Sequence, residues 1–129
     1  MEVVNSTPPA LKELNKYRLS PMDLAIVNGH LELVYFFLHA DPGLVRLKGR
    51  GGLTPLHHAA KNGNIDVLVR FLITCPESIE DVTFEGKTVF HFAAEIKDET
   101  TSAEVIEILV GWLSREFATK TLIGKHFRI

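Results

Sequence analysis

Apolar residues recur with helical spacing in two well-marked runs. The first is Leu31, Leu33, Val34, Phe37 and Leu38; the second is Ile65, Val67, Leu68, Phe71 and Leu72. Steps of three and four residues place each set on one side of a helix and argue against strands. A shorter segment precedes each run, opened by Ser20-Pro21 or Thr54-Pro55 and closed by Asn28-Gly29 or Asn62-Gly63. A hydroxyl at the N-cap takes a free backbone N–H, and proline at the first helical position loses no bond. Asn-Gly tolerates the left-handed backbone that ends a helix. Pro42 and Pro76 stop the second helices. The pattern predicts paired helices, with Ala25, Ala59, Ala60, Ala93 and Ala94 allowing neighbouring pairs to approach closely.

The pairs repeat every 34 residues. Residues 17–50 and 51–84 agree at Leu19, Pro21, Ala25, Asn28, Gly29, Phe37, Leu38 and Pro42, with no change in the gaps between them. A third unit begins with Thr88-Val89-Phe90-His91-Phe92-Ala93. Its second-helix residues Val105, Ile106, Leu109 and Val110 lie 38 positions, not 34, beyond Val67, Leu68, Phe71 and Leu72. Four residues are therefore inserted, placed here in Lys97–Thr101 as a longer turn, with Ser102 as the cap of the following helix. The expected organisation is a lead-in at 1–16, where Pro9 to Asn15 reads as the remnant of a preceding repeat. Units at 17–50, 51–84 and 85–117 and a non-repeat tail at 118–129 follow. The fold class is an all-α solenoid of helix-turn-helix units, each burying its apolar face only against its neighbours.

Thr54-Pro55-Leu56-His57-x-Ala59-Ala60 followed by Gly63 resembles the signature of the ankyrin repeat. The first unit has Ser20 and Asp23 in place of Thr and His, and the third has Val89 in place of Pro. The resemblance implies an ankyrin-repeat solenoid with β-turn fingers between units. It makes Thr54, Pro55, Leu56, His57, Gly63, Thr88 and His91 structural, each histidine bonding the Thr of its own motif and the next loop. Gly52 and Gly86 then occupy the finger position that needs unusual φ. It also implies a protein partner recognised by the finger tips and the exposed side of the first helices. Those positions are Lys16, Tyr17, Leu19, Val27 and Asn28; then Arg50, Gly51, Leu53, Lys61 and Asn62; then Phe84, Glu85, Lys87, Glu95 and Ile96. Tyr17, Leu53 and Phe84 are the apolar anchors, in the kind of charged surround that binding hot spots favour. The 34-residue spacing, with Asp41-Pro42 and Cys75-Pro76-Glu77-Ser78 after the second helices, is similar to ankyrin proteins of plant defence, which usually end in membrane helices. That narrower resemblance implies a role in defence signalling and allows membrane association, while the expected location is intracellular and cytoplasmic. The alternative is a truncated membrane-associated component using a basic tail, Lys120 to Arg128, for lipid contact.

Composition adds exclusions. A formal charge of −2 and a pI near 6.3 leave no global basic field for a nucleic acid. The N-terminal residues do not read as a secretory leader, and no apolar run is long enough to span a membrane. A lone cysteine, Cys75, allows no internal disulfide and leans toward a reducing compartment. It follows a helix C-terminus, where the dipole disfavours a thiolate. His57 and His58 diverge by about 100° on a helix and cannot chelate one ion together. No nucleophile–base pair or ligand cluster converges in the register, so catalysis, cofactor and metal are not expected. The run Arg46-Leu47-Lys48-Gly49-Arg50 has two readings: a basic finger for an acidic partner or anionic lipid, or a solvated turn. Finally, 46% hydrophobic residues and a mean hydropathy of +0.11 fit an interior slice of a longer stack. Self-association through open ends is the corresponding expectation.

Overall fold

A computed structural model describes the backbone of residues 9–127 and the side chains of residues 10–115. The helices are α1 (Pro21–Val27), α2 (Leu31–Ala40), α3 (Pro55–Asn62), α4 (Ile65–Thr74), α5 (Val89–Ala94) and α6 (Glu99–Phe127). Short 3-10 turns follow the second helices at Pro42–Arg46 and Pro76–Glu80, and another lies at Pro9–Lys12. Among the described residues there are no strands. Helices α1, α3 and α5 stack in one row, and each packs against the second helix of its own unit. This is the all-α solenoid of paired helices that the spacing predicts.

Each first helix starts by the same device. Thr54 Oγ1 accepts the His57 N–H, while the Thr54 N–H donates to His57 Nδ1 at 2.9 Å. In the first unit Asp23 takes the histidine's place. The Ser20 N–H donates to Asp23 Oδ2 at 3.0 Å, and the Asp23 N–H donates to Ser20 Oγ at 3.1 Å. In the third, the Thr88 N–H donates to His91 Nδ1 at 2.9 Å. These reciprocal bonds satisfy amides that a helix start leaves free. Gly63 ends α3 at φ +71 in the left-handed region.

Three fingers close in strict register. Asn15, Gly49 and Thr83 donate their N–H groups to Leu19, Leu53 and Lys87 carbonyls, each at 2.9 Å and each step 34 residues on. Gly52 at φ +82 and Gly86 at φ +79 fill the left-handed position of the second and third fingers. The first finger puts Arg18 there at φ +66, a conformation unfavourable for a residue with a Cβ. A Cβ on Gly52 would lie 2.7 Å from the Phe84 backbone N, so this glycine also lets the fingers approach.

Two sequence expectations are corrected. The insertion in the third unit does not lengthen the turn alone. α6 begins at Glu99, so the added residues mainly build one extra helical turn. Asp98 rather than Ser102 caps it, its carboxylate accepting the Thr101 N–H at 3.2 Å. Ser102 lies inside the helix and donates its hydroxyl to the Ala93 carbonyl at 2.8 Å, tying α6 to α5. A short acidic side chain competes well for a helix N-terminus, and the hydroxyl one turn later satisfies a carbonyl at the end of α5 instead.

The second correction concerns α2. Val67 is fully buried in the second unit, yet its counterpart Leu33 is 41% exposed, and Leu31 is likewise exposed. Phe71 is buried, whereas its counterpart Phe37 is only half-buried. The patterns are the same but the neighbours differ. α4 packs on α3 and α6, and its Arg70 lies 4.6 Å from the Tyr35 ring centre of α2, whereas α2 packs chiefly on α1 and the turn at Pro42–Arg46. The outer side of α2 leaves Phe36 67% exposed and forms an open apolar groove with Leu31 and Leu33.

Candidate partner-binding face

The fingers and first helices carry the residues singled out from the sequence. Tyr17 and Phe84 stand at finger tips with 56% and 74% of their surface exposed. Leu19 and Leu53 are half-buried between fingers. Arg50, Lys61, Asn62 and Glu95 are exposed, and Lys87 is half-buried. Lys87 Nζ lies 3.5 Å from Glu95 and 3.9 Å from Glu85, so this end carries a small compensated charge cluster.

Backbone bonds hold the fingers together. The Arg50 N–H donates to the Arg18 carbonyl at 2.8 Å, and the Phe84 N–H donates to the Gly51 carbonyl at 3.1 Å. Buried His57 adds a third link. Because its Nδ1 accepts the Thr54 N–H, the proton sits on Nε2, which donates to the Asp81 carbonyl at 3.1 Å. Burial holds the His57 pKa below the ordinary histidine value and keeps the ring neutral for this double role. His91 repeats the bond to its own threonine, but its Nε2 has no partner among the described residues.

The basic run is not a uniform charged finger. Arg46 makes a two-point pair with Asp81, at 2.9 Å from Nε and 2.6 Å from Nη2. Lys48 donates to the Val82 carbonyl and lies 5.9 Å from the Phe84 ring centre. Both cations therefore tie the segment that enters the second finger to the segment that enters the third. Arg50 and Lys61 have no acidic partner among the described residues. With Leu53, His58, Phe84 and Glu85 they line a cavity of about 290 Å³ between the fingers and α3.

Behind this cavity lies a pair that the sequence did not flag. Asp23 and His58 are both buried, with Asp23 Oδ1 3.8 Å from His58 Nε2 and no hydrogen-bond partner on either atom. Burial pushes the Asp23 carboxyl up to about 6 and the His58 ring down to about 4. The signal was the 34-residue register itself, which sets position 23 of α1 beside the start of α3.

Among the described residues, no three His, Cys, Asp or Glu side chains gather as metal ligands. Cys75 is half-buried, and burial raises its thiol pKa above the ordinary value. No described helix is long and apolar enough to cross a membrane. The side chains of the 118–129 tail lie outside the described residues, although the backbone of α6 continues to Phe127.

Capped first helix, left-handed stop, second helix, 3-10 turn and projecting finger define a repeat protein of the helix-turn-helix solenoid class. A family model of three ankyrin repeats matches residues 22–116, most of the chain. The chain belongs to the ankyrin-repeat family, whose repeats generally serve as protein-interaction modules. No curated protein matches it.

Proposed function

We propose that the chain is a non-catalytic interaction module that grips a protein partner with its finger tips and the adjoining face of α1, α3 and α5. One observation carries the reading: each finger is closed by a backbone bond that recurs every 34 residues and neighbouring fingers are tied by the Arg50 and Phe84 N–H bonds, yet they display Tyr17 and Phe84 largely uncovered. A rigid frame presenting exposed aromatics loses little entropy on binding and supplies hot-spot side chains. Tyr17, Leu19, Lys48, Arg50, Leu53, Lys61, Asn62, Phe84, Lys87 and Glu95 form the proposed contact set. Lys48 contributes chiefly through its contact with the Phe84 ring.

The plant-defence reading rests on the spacing and the proline turns after α2 and α4, and it brings with it a cytoplasmic signalling role. In that setting the partner is another signalling protein, and any membrane contact would come through the 118–129 tail. Liposome co-sedimentation with and without residues 118–129 separates protein binding from lipid binding. For the module itself, the test is affinity purification from native extract with the wild type and with Tyr17→Ser/Phe84→Ser. Partners shared by the wild type and lost in the variant are expected. An unchanged set of captured proteins would refute the finger-tip surface.

The exposed side of α2 favours a second use of the same chain. Leu31, Leu33 and Phe36 form an apolar strip whose counterpart Val67 in the next unit is fully covered. Self-association through this strip is the corresponding proposal.

A further inference from the structure

The cavity between the second and third fingers has a chemical character of its own. Its apolar walls are Leu53 and Phe84, its cations are Arg50 and Lys61, and His58 closes it toward the core. Its single carboxylate, Glu85, lies 3.9 Å from Lys87 Nζ and is partly compensated there. The cations have no such compensation, because no acidic side chain among the described residues pairs with either. Neighbouring cations confirm the contrast: Arg46 is held by Asp81, and Lys48 by the Val82 carbonyl. A protein of net charge −2 that leaves two cations without an acidic partner on the lining of one recess offers a local site for a negative group. At about 290 Å³ the recess suits one or two side chains, not a folded domain.

We propose that this cavity receives an acidic side chain of the partner protein, flanked by an apolar one. The carboxylate lies between Arg50 and Lys61, and the apolar neighbour rests on Leu53 and the face of Phe84. This rests on the interaction role proposed above and names the chemistry of the partner segment. A guanidinium offers a carboxylate two parallel N–H donors, and an ammonium adds a point charge. Lys48 Nζ lies 5.9 Å from the centre of the Phe84 ring that the apolar side chain meets, within cation–π range. A recessed site with lateral apolar walls and Glu85 at its edge favours a peptide over a flat anionic lipid surface, which would meet Glu85 as well as the cations.

The experiment is a selection of random peptides displayed on phage against the full chain, followed by fluorescence anisotropy of the selected peptides. The expected consensus places Asp or Glu beside Leu, Ile, Phe or Tyr. Arg50→Glu/Lys61→Glu should weaken binding of the selected peptide at least about tenfold. Replacing the peptide's acid by Lys should restore a substantial part of that loss in the variant while harming the wild type. All the altered positions are exposed, and circular dichroism confirms that the variant keeps its helices. A selection without acidic consensus, or without binders, overturns the proposal, as does an affinity indifferent to Arg50→Glu/Lys61→Glu. Peptides that respond only to Tyr17→Ser also overturn the cavity assignment, but they leave the interaction module standing. Co-sedimentation with phosphatidylserine vesicles that depends on the same two cations, with no acidic peptides selected, would transfer the site to lipid and overturn the peptide reading.

Discussion

Replacing Asp23 by asparagine isolates one buried titration with a defined sign. The Asp23 carboxyl has a folded pKa near 6 against an ordinary value of 3.8, with burial as the main cause. As pH rises above 3.8 the unfolded chain loses this proton first, and the folded chain keeps it until about 6. The stability that Asp23 contributes is therefore fully present at low pH and lost as pH climbs through 6. His58 opposes it: burial lowers its pKa from 6.5 to about 4, so its contribution is lost as pH falls through that interval. Between about pH 4 and 6 the two nearly cancel in the wild type, because the folded pair binds the same number of protons as the unfolded pair. Asparagine keeps a carbonyl acceptor for the Ser20 N–H and removes the titration. The unfolding free energy of the wild type minus that of Asp23→Asn should then fall with rising pH. About 1.4 kcal/mol per pH unit separating 3.8 from 6 gives roughly 3 kcal/mol between about pH 3.5 and pH 7. Urea titrations followed by far-ultraviolet circular dichroism at several pH values measure this difference. A constant difference would refute the reasoning. A rise with pH would also do so, and would mean that Asp23 is an anion paired with a protonated His58.

The remaining predictions use other parts of the fold. Gly52→Ala should destabilise by about 2 kcal/mol or more, since the new Cβ meets the Phe84 backbone as well as positive φ. Gly86→Ala, whose Cβ meets nothing within 4 Å, should lose only about 1 kcal/mol; equal losses in thermal melts would dismiss the close-approach argument. Arg18→Gly should stabilise by about 0.5–1 kcal/mol by relieving the left-handed arginine, and a destabilised variant in the same melts would contradict it. His57→Ala leaves the Thr54 N–H and Asp81 carbonyl without their partner and should destabilise by about 3 kcal/mol; a loss below about 0.5 kcal/mol in urea would show that water replaces the ring. Leu33→Ser/Phe36→Ser should reduce any concentration-dependent association seen by light scattering. A wild type that stays monomeric at high concentration would remove self-association through α2.

Much of the local architecture is legible in the order of residues. Helix starts, stops and pairing follow from short-range chemistry: Ser20 and Thr54 before proline, Gly63 after α3, Pro42 and Pro76 after the second helices. The histidine at position 57 could be assigned from its resemblance to a repeat motif, because its two partners sit at fixed offsets within that motif. Glycine marks the position of positive φ at Gly52 and Gly86, whereas in the first finger Arg18 holds it and the residue type gives no sign of it. The third unit shows where counting stops. Four extra polar residues fit a longer turn or a longer helix equally well by count, and the Asp98 carboxylate settles the outcome by capping Glu99 onward.

By itself, then, the sequence determined the repeat, its period, the helix pairs and their family, since each depends on contacts within about one unit. The tertiary structure decided which register-equivalent residues differ in environment. Val67 is covered and Leu33 is not; Arg46 and Lys48 hold the segment that enters the next finger while Arg50 and Lys61 face the cavity. It also set Asp23 against His58, two groups that look unrelated along the chain. Burial and ion pairing depend on what packs from adjacent units, and a pattern repeated along the chain is identical whether or not a neighbour covers it.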